Sequence, residues 1–399
     1  MKWVCAALAL SMLMLIGVGL VILASTGDAQ GAFLGIRNPN HFAFQQARYA
    51  VMAVLGCALL ACVPPSLWFR GRMPWCIAAF VVIGLLSVHT PLGFATKGAR
   101  RWITLPGFQL QPSEFVKVAV IPLTAWWAGA PGRRNRNLWE GVLLPCVGFG
   151  LVVAGFLAQS DLGSSVMMMA VNVALLYLAG ARFWKHLFPL ALIALLLFFV
   201  YLANDPVRMR RFGALDWLLP SVEQTVSDGA GSGGVPDADK HQVNMSRKAF
   251  ARGRWTGVGL GNSICKERYL PEYHTDFILA MVGEELGLAG TLSCVALFVV
   301  MTCCGFRIAV RAPDKRQRLL AAGMTMHVCL SAAVNVGVVT GSLPTKGLAL
   351  PFLSYGGSSL VASAAAVGLL LAVGLRPGAD AVRSPPPSAV GESTDLWNV

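Results

Sequence analysis

Val4 to Ser25 reads VCAALALSMLMLIGVGLVILAS, an apolar stretch without one charged residue. A helix rising 1.5 Å per residue needs about 20 such residues to cross the roughly 30 Å hydrocarbon core of a bilayer. Stretches of the same kind recur at about 47–69, 75–94, 114–130, 141–158, 163–180, 186–203, 276–304, 319–340 and 355–375. The expectation is an all-α integral membrane protein with about ten transmembrane helices. Composition agrees: of 399 residues, 56% are hydrophobic and 13% charged, against about 25% charged in an ordinary soluble domain. A mean hydropathy of +0.63, averaged over loops as well as spans, excludes a soluble enzyme, including one on a single tether. Lys2 before the first stretch also fits a cleaved signal peptide, but the apolar core is longer than an h-region and no clear A-x-A site follows, so the span is read as retained.

The net charge of +13 is scattered between spans rather than gathered on one face, which points away from nucleic acid and toward topology. With the N-terminus inside, basic clusters at 70–72, 133–136, 182–185, 307–318 and 376–383 fall on the cytoplasmic side. The short outer loops hold fewer: Arg37, Arg48, Lys97, Arg100, Arg101 and Lys346. Both termini are then cytoplasmic, and residues 204–275 form one large extracytoplasmic loop between helices 7 and 8. Within it, 227–240 (SDGAGSGGVPDADK) has the composition of a mobile insert, and 377–399 that of a disordered cytoplasmic tail beyond a membrane domain of 1–376. Nine of the ten cysteines lie in or at the ends of apolar runs, so no disulfide framework is expected.

Ionisable groups in or at the mouth of a span are costly and are therefore functional candidates. Glu114 and Lys117, in QPSEFVK at 111–117, are i, i+3 neighbours on one helix face and can pair. Asp161, in the short connection between the fifth and sixth spans, can approach Lys117 or simply cap the sixth helix. Asp276 opens the eighth span, wet on one side and apolar on the other, a setting for a general base or again for a cap. Glu284 and Glu285 lie two turns deeper on the assumed continuous helix and read as structural. The Gly, Pro and Ser residues of 340–347 and 354–359 imply non-helical backbone at membrane depth, tolerated only where it is buried in protein or lines a cavity; Lys346 adds a cation there. A basic, partly embedded cavity of this kind suits a lipid-linked anion, most simply a polyprenyl pyrophosphate, although a proton-coupled transporter uses similar parts.

Seven ordered runs carry a resemblance: GARRWI (98–103), QPSEFVK (111–117), QSDLG (159–163), GVGLGNS (257–263), YLPEYHTDFI (269–278), GEELG (283–287) and LPTKGLALPFLSYGGSSL (343–360). In these the chain resembles the FtsW, RodA and SpoVE family, the SEDS proteins, and its details look like the division members more than the elongation members. The resemblance implies a ten-helix glycosyltransferase of the cytoplasmic (inner) membrane that polymerises lipid II into peptidoglycan at the division septum. It also implies work with a monofunctional class B penicillin-binding protein among other divisome proteins. Residue by residue, Asp276 matches the family's catalytic aspartate; Glu114, Lys117 and Asp161 match its charged cluster, and Arg101 the arginine of its GARRW run. Two departures stand out: Gln159-Ser160-Asp161 replaces a frequent Gln-Pro-Asp, and Ala251-Arg252-Gly253-Arg254-Trp255 stands where a Gly-Gly pair is common.

On this reading two lipid II molecules face outward, and Asp276 is general base on the acceptor 4-hydroxyl. That hydroxyl attacks the donor anomeric carbon with inversion and expels undecaprenyl pyrophosphate. Lys117, Arg101 and Lys346 are expected to stabilise the leaving pyrophosphate, with Glu114 and Asp161 holding Lys117. GVGLGNS lacks the βαβ surroundings of a nucleotide site, and the six histidines have no zinc-protein spacing. No cofactor is expected beyond a divalent cation, Mg2+ or Mn2+, on the pyrophosphate. The rival readings are a lipid II flippase or transporter and a non-catalytic scaffold of the divisome.

Overall fold

The computed structural model describes residues 1–34, 41–91, 93–96, 99–105, 108–133, 135–192, 237–264, 275–343 and 347–376. Helix α1 spans Lys2–Leu34 and α2 spans His41–Cys62, where Pro64 and Pro65 stop it; a 3-10 turn follows at Pro65–Phe69. Then come α3 (Met73–Ser87), α4 (Pro112–Ala128), α5 (Leu144–Ala158, entered through a π turn at Trp139–Leu143) and α6 (Leu162–Leu178). The later elements are α7 (Asp237–Gly253), α8 (Ile278–Glu285), α9 (Gly287–Arg311), α10 (Lys315–Val339) and α11 (Gly357–Leu375). Among the described residues six helices are long and apolar enough to cross a membrane, starting at Lys2, His41, Trp139, Gly287, Lys315 and Gly357, with Met73–Ser87 and Leu162–Leu178 apolar but shorter.

The all-α expectation is corrected by a three-stranded antiparallel sheet between α3 and α4: β1 (Gly93–Thr96), β2 (Ala99–Leu105) and β3 (Phe108–Leu110), in that order. The expected third span ran into β1 because Val88 and Phe94 are apolar, yet the helix ends at Ser87 before Thr90-Pro91. Pro106-Gly107 between short β-prone runs was the hairpin signal in the sequence. A second correction concerns the eighth span, which is two helices. Gly287, at φ 71°, breaks the chain after α8, so Asp276, Glu284 and the spanning part of α9 do not share one continuous helix. The seventh expected span lies largely outside the described residues. So do the 227–240 insert, except Asp237 to Lys240 at the start of α7, and the 377–399 tail.

Close packing comes from small residues, as in helix association without a hydrophobic drive between apolar surfaces. A Cβ on Gly368 of α11 would meet the Cys57 carbonyl oxygen of α2 at 2.6 Å, and one on Gly374 the Cys5 sulfur at 2.6 Å. Hydroxyls inside spans return to their own helix: Ser11 donates to Ala7 O at 2.8 Å and Thr325 to Ala321 O at 2.7 Å. At one end of the bundle, helix C-terminal carbonyls take donors that complement their partial negative charge. Asn135 bridges Ala128 O and Ala179 O at 2.7 and 2.9 Å, Lys315 also reaches Ala179 O at 2.9 Å, and Arg376 donates to Cys62 O at 2.6 Å.

Gly368→Ala is therefore expected to destabilise the folded protein by about 1–3 kcal/mol through overpacking. Gly56→Ala, on the same helix pair but with nothing within 4 Å of its Cβ position, should be neutral or stabilising by helix propensity. Thermal unfolding of both in the same detergent tests the contrast.

Candidate functional site

At the opposite end of the bundle four irregular segments meet: the entry to α4, the turn before α6, the turn before α8, and residues 347–356 before α11. Glu114 and Lys117 occupy the first two turns of α4 and form an ion pair of 2.8 Å, with side chains 14% and 4% exposed. Their i, i+3 spacing dictates the pairing. Ser358, at the start of α11, accepts from the Gln111 N–H at 2.9 Å and thereby joins α4 to α11.

Asp161 is buried and caps α6: Ser164 N–H donates to Oδ1 at 3.2 Å and the Ser164 hydroxyl to Oδ2 at 2.8 Å. No ion pair links it to Lys117 among the described residues. The expectation that Asp161 holds Lys117 thus gives way to its other reading, because the carboxylate is already taken up by its own helix end. Arg101 projects from β2 to the same turn, donating through Nε to Gln159 O at 3.0 Å and through Nη2 to Ser160 O. Ser160 sits at φ 56°, which the ring of proline forbids, so the Gln-Ser-Asp departure does build a different turn.

Asp276 is half-buried just ahead of α8. Its carbonyl accepts from the Asn335 side-chain amide at 2.9 Å, and that same nitrogen donates to Leu348 O at 2.8 Å. A Cβ at Gly347 would stand 3.3 Å from Asp276 Oδ2. Ser354 donates to Thr275 O and accepts from Leu350 N at 2.8 Å, while Gln46 of α2 donates to Ser354 O at 3.1 Å. Gly163 lets α6 approach Leu348, whose Cγ is 3.2 Å from the Cβ position. Asp276, Leu348 and the cap of α6 therefore belong to one knitted layer. Lys346 lies outside the described residues.

Sequence reasoning missed Asn335 and Gln46. Both are buried polar residues on apolar spans, and polar side chains at membrane depth were the available signal. It also underused the glycines after α7. A Cβ on Gly253 would meet Gly283 O at 1.8 Å, and one on Gly257 would meet Glu285 O at 2.1 Å. The GVGLGNS run wraps the break between α8 and α9, with Val258 N–H on Glu284 O at 3.0 Å and Gly259 N–H on Glu285 O at 3.1 Å.

A family model of cell cycle proteins, FtsW/RodA/SpoVE, matches residues 5–376. The chain belongs to that family. Among curated relatives, a probable peptidoglycan glycosyltransferase FtsW of Trichlorobacter lovleyi is 36% identical over 365 residues, covering 91% of each chain. The one of Geobacter metallireducens is 39% identical over 333 residues, covering 82% of this chain and 84% of its own. Among solved structures, a chain described under structural coordination of polymerization and crosslinking by a peptidoglycan synthase complex superposes with a TM-score of 0.69 at 24% identity, covering 92% of this chain and 96% of that one. The rod shape determining protein RodA of Thermus thermophilus gives 0.63 at 24% identity, covering 93% and 96%. These two share the fold, and family members are multi-pass membrane proteins like this one.

Two outcomes test the layer. Ser160→Pro should destabilise by more than about 1 kcal/mol, since it forces φ negative and removes an N–H that bonds Leu157 O at 2.9 Å, whereas Ser160→Gly should not; melting curves distinguish them. Lys117→Met should cost about 3–5 kcal/mol by leaving the Glu114 carboxylate without its partner. Adding Glu114→Gln should return most of that loss in the same unfolding measurement.

Proposed function

We propose that this chain polymerises lipid II into peptidoglycan glycan strands at the division septum. The observation that carries the reading is kinship over nearly the whole chain with relatives named probable peptidoglycan glycosyltransferase FtsW. The geometry supports it by bringing a half-buried carboxylate and a buried lysine to one end of a membrane bundle.

In this reading Asp276 takes the proton of the acceptor GlcNAc 4-hydroxyl as its oxygen attacks the donor MurNAc anomeric carbon. The bond to the pyrophosphate breaks on the opposite face, the configuration inverts, and undecaprenyl pyrophosphate leaves. Asn335 and Gly347 set where the Asp276 carboxylate stands. Lys117 meets the charge that develops on the leaving group, where a fixed cation in a dry site stabilises the transition state most. Arg101 acts through the 159–160 carbonyls, Asp161 through the cap of α6 and Glu114 through Lys117. Lys346 is assigned by sequence alone. Among the described residues no cluster of three His, Cys, Asp or Glu side chains forms a metal cage, and a Mg2+ or Mn2+ ion fits this scheme as a companion of the substrate pyrophosphate.

The capped, basic end of the bundle is assigned to the cytoplasm with both termini, and the Asp276 end to the outer face, within a ten-span arrangement. A class B penicillin-binding transpeptidase is the proposed partner, with other division proteins around it. The test is glycan polymer on a gel from the purified protein, its partner and lipid II. Asp276→Asn should lower turnover by about 10² to 10⁴ while the protein stays folded and inserted. Normal polymerisation by that variant would remove Asp276 as the base. Absence of polymer from the wild type, with lipid II moving across vesicle membranes, would favour a transporter. Preserved division in cells carrying Asp276→Asn would favour a scaffold.

A further inference from the structure

Glu284 has no part in the chemistry above, yet it is a carboxylate with 0% exposure. Three donors converge on it. The Ser263 hydroxyl and the Ile264 N–H, at 3.1 Å, bind its two oxygens, and Arg252 Nη1 stands 3.6 Å from Oε1. All three belong to the end of α7 and the glycine-rich segment behind it. Helix α7 is itself docked by an i, i+3, i+7 stripe of Ser246, Ala249 and Gly253. Ser246 donates to Val339 O of α10 at 2.7 Å, and the Phe250 ring lies within 2.3 Å of where a Cβ on Gly283 would stand.

Helix α8 connects this assembly to the candidate base. It begins two residues after Asp276 and ends at Glu285, and every residue from Ile278 to Glu285 is buried. Eight residues make a rod of about 12 Å, too short to bend appreciably. One end is held through Asn335 on the Asp276 carbonyl and the other through Glu284. A rod held at two ends passes a shift at one end to the other.

We propose that Arg252 and Glu284 form a positioning pair that sets the height and rotation of α8, so that turnover at Asp276 depends on α7 being docked. This rests on the reading of Asp276 as general base. Without Arg252 the carboxylate keeps only neutral donors in a dry site, and α8 moves to rehydrate it. Arg252 is suited to the test because its side chain is 40% exposed, so its removal opens no core cavity. A lysine restores the charge.

The experiment compares wild type, Arg252→Ala and Arg252→Lys, each full length with the partner transpeptidase, for lipid II kinetics and for amide hydrogen exchange of 276–285. Arg252→Ala should lower kcat about tenfold to a hundredfold, with KM within about twofold, as expected for a catalytic group displaced by a fraction of an ångström to about 1 Å. Exchange in 276–285 should rise while α9 and α10 stay as in wild type, and Arg252→Lys should recover most of both. Wild-type kcat in Arg252→Ala, unchanged exchange, or no recovery with lysine would each overturn the proposal. If Arg252→Ala does not fold, Arg252→Met, which keeps the apolar stem, is held to the same outcomes. If the wild type makes no polymer, the glycosyltransferase reading fails separately, and the positioning pair stands or falls on exchange alone.

Discussion

At the end of the bundle that carries the candidate chemistry, one amide joins two irregular segments. Asn335, 1% exposed in α10, gives its side-chain nitrogen to the carbonyls of Asp276 and Leu348. These carbonyls come from two segments that are not helical, in contacts that are buried or partly buried. An unmet carbonyl there costs several kcal/mol, so irregular backbone survives only where protein donors replace water. Asn335 supplies them to the segment before α8 and to the segment before α11. Ser354 and Gln46 extend the same arrangement to Thr275 and α2. Residues 347–356 can thus depart from helical geometry without being expelled to the surface.

Glycine governs the second level of organisation. Gly253, Gly257 and Gly287 permit backbone-to-backbone approach between the segment behind α7 and the break at the end of α8, where a Cβ would collide with a carbonyl or an amide. Gly347 and Gly163 leave room instead for side chains, those of Asp276 and Leu348, at 3.3 and 3.2 Å from their Cβ positions. A run such as GVGLGNS looks like a phosphate cradle when read alone. In this chain the Val258 and Gly259 N–H groups are directed at the carbonyls of Glu284 and Glu285, which a helix break has left without helical partners. The glycines serve the fold, and the buried carboxylate of Glu284 is the polar centre they enclose.

Six spans among the described residues were legible because a bilayer imposes a length and an apolar composition that few other structures share. The i, i+3 pair of Glu114 and Lys117 was legible for a similarly local reason. What the sequence hid depends on contacts between distant segments. The helix break at Gly287 interrupts a run that stays apolar on both sides, so hydropathy passes over it. The sheet from Gly93 to Leu110 has only short strands, and their signal was absorbed into the neighbouring span. Asp161 had two readings of equal local merit, and only the position of Ser164 against its carboxylate decided for the cap. Asn335 was visible as a polar residue in a span, but its two carbonyl partners lie 59 and 13 residues away.

The placement of charge also constrains how the site acts on the proposed reading. Because Asp161 is committed to its helix end, Glu114 is the carboxylate paired with Lys117 among the described residues, and the pair is nearly neutral as seen from a distance. A neutral pair can be buried where a lone lysine would be expelled or lose its proton. An arriving pyrophosphate brings more negative charge than one carboxylate, and that charge grows as the glycosidic bond to it breaks. On that reading Lys117 would interact more strongly with the transition state than with either Glu114 or the bound donor, the difference on which rate acceleration depends. Glu114, 2.8 Å from the ammonium, would on the same proposal keep the cation in place between turnovers and limit how tightly the ground state is held.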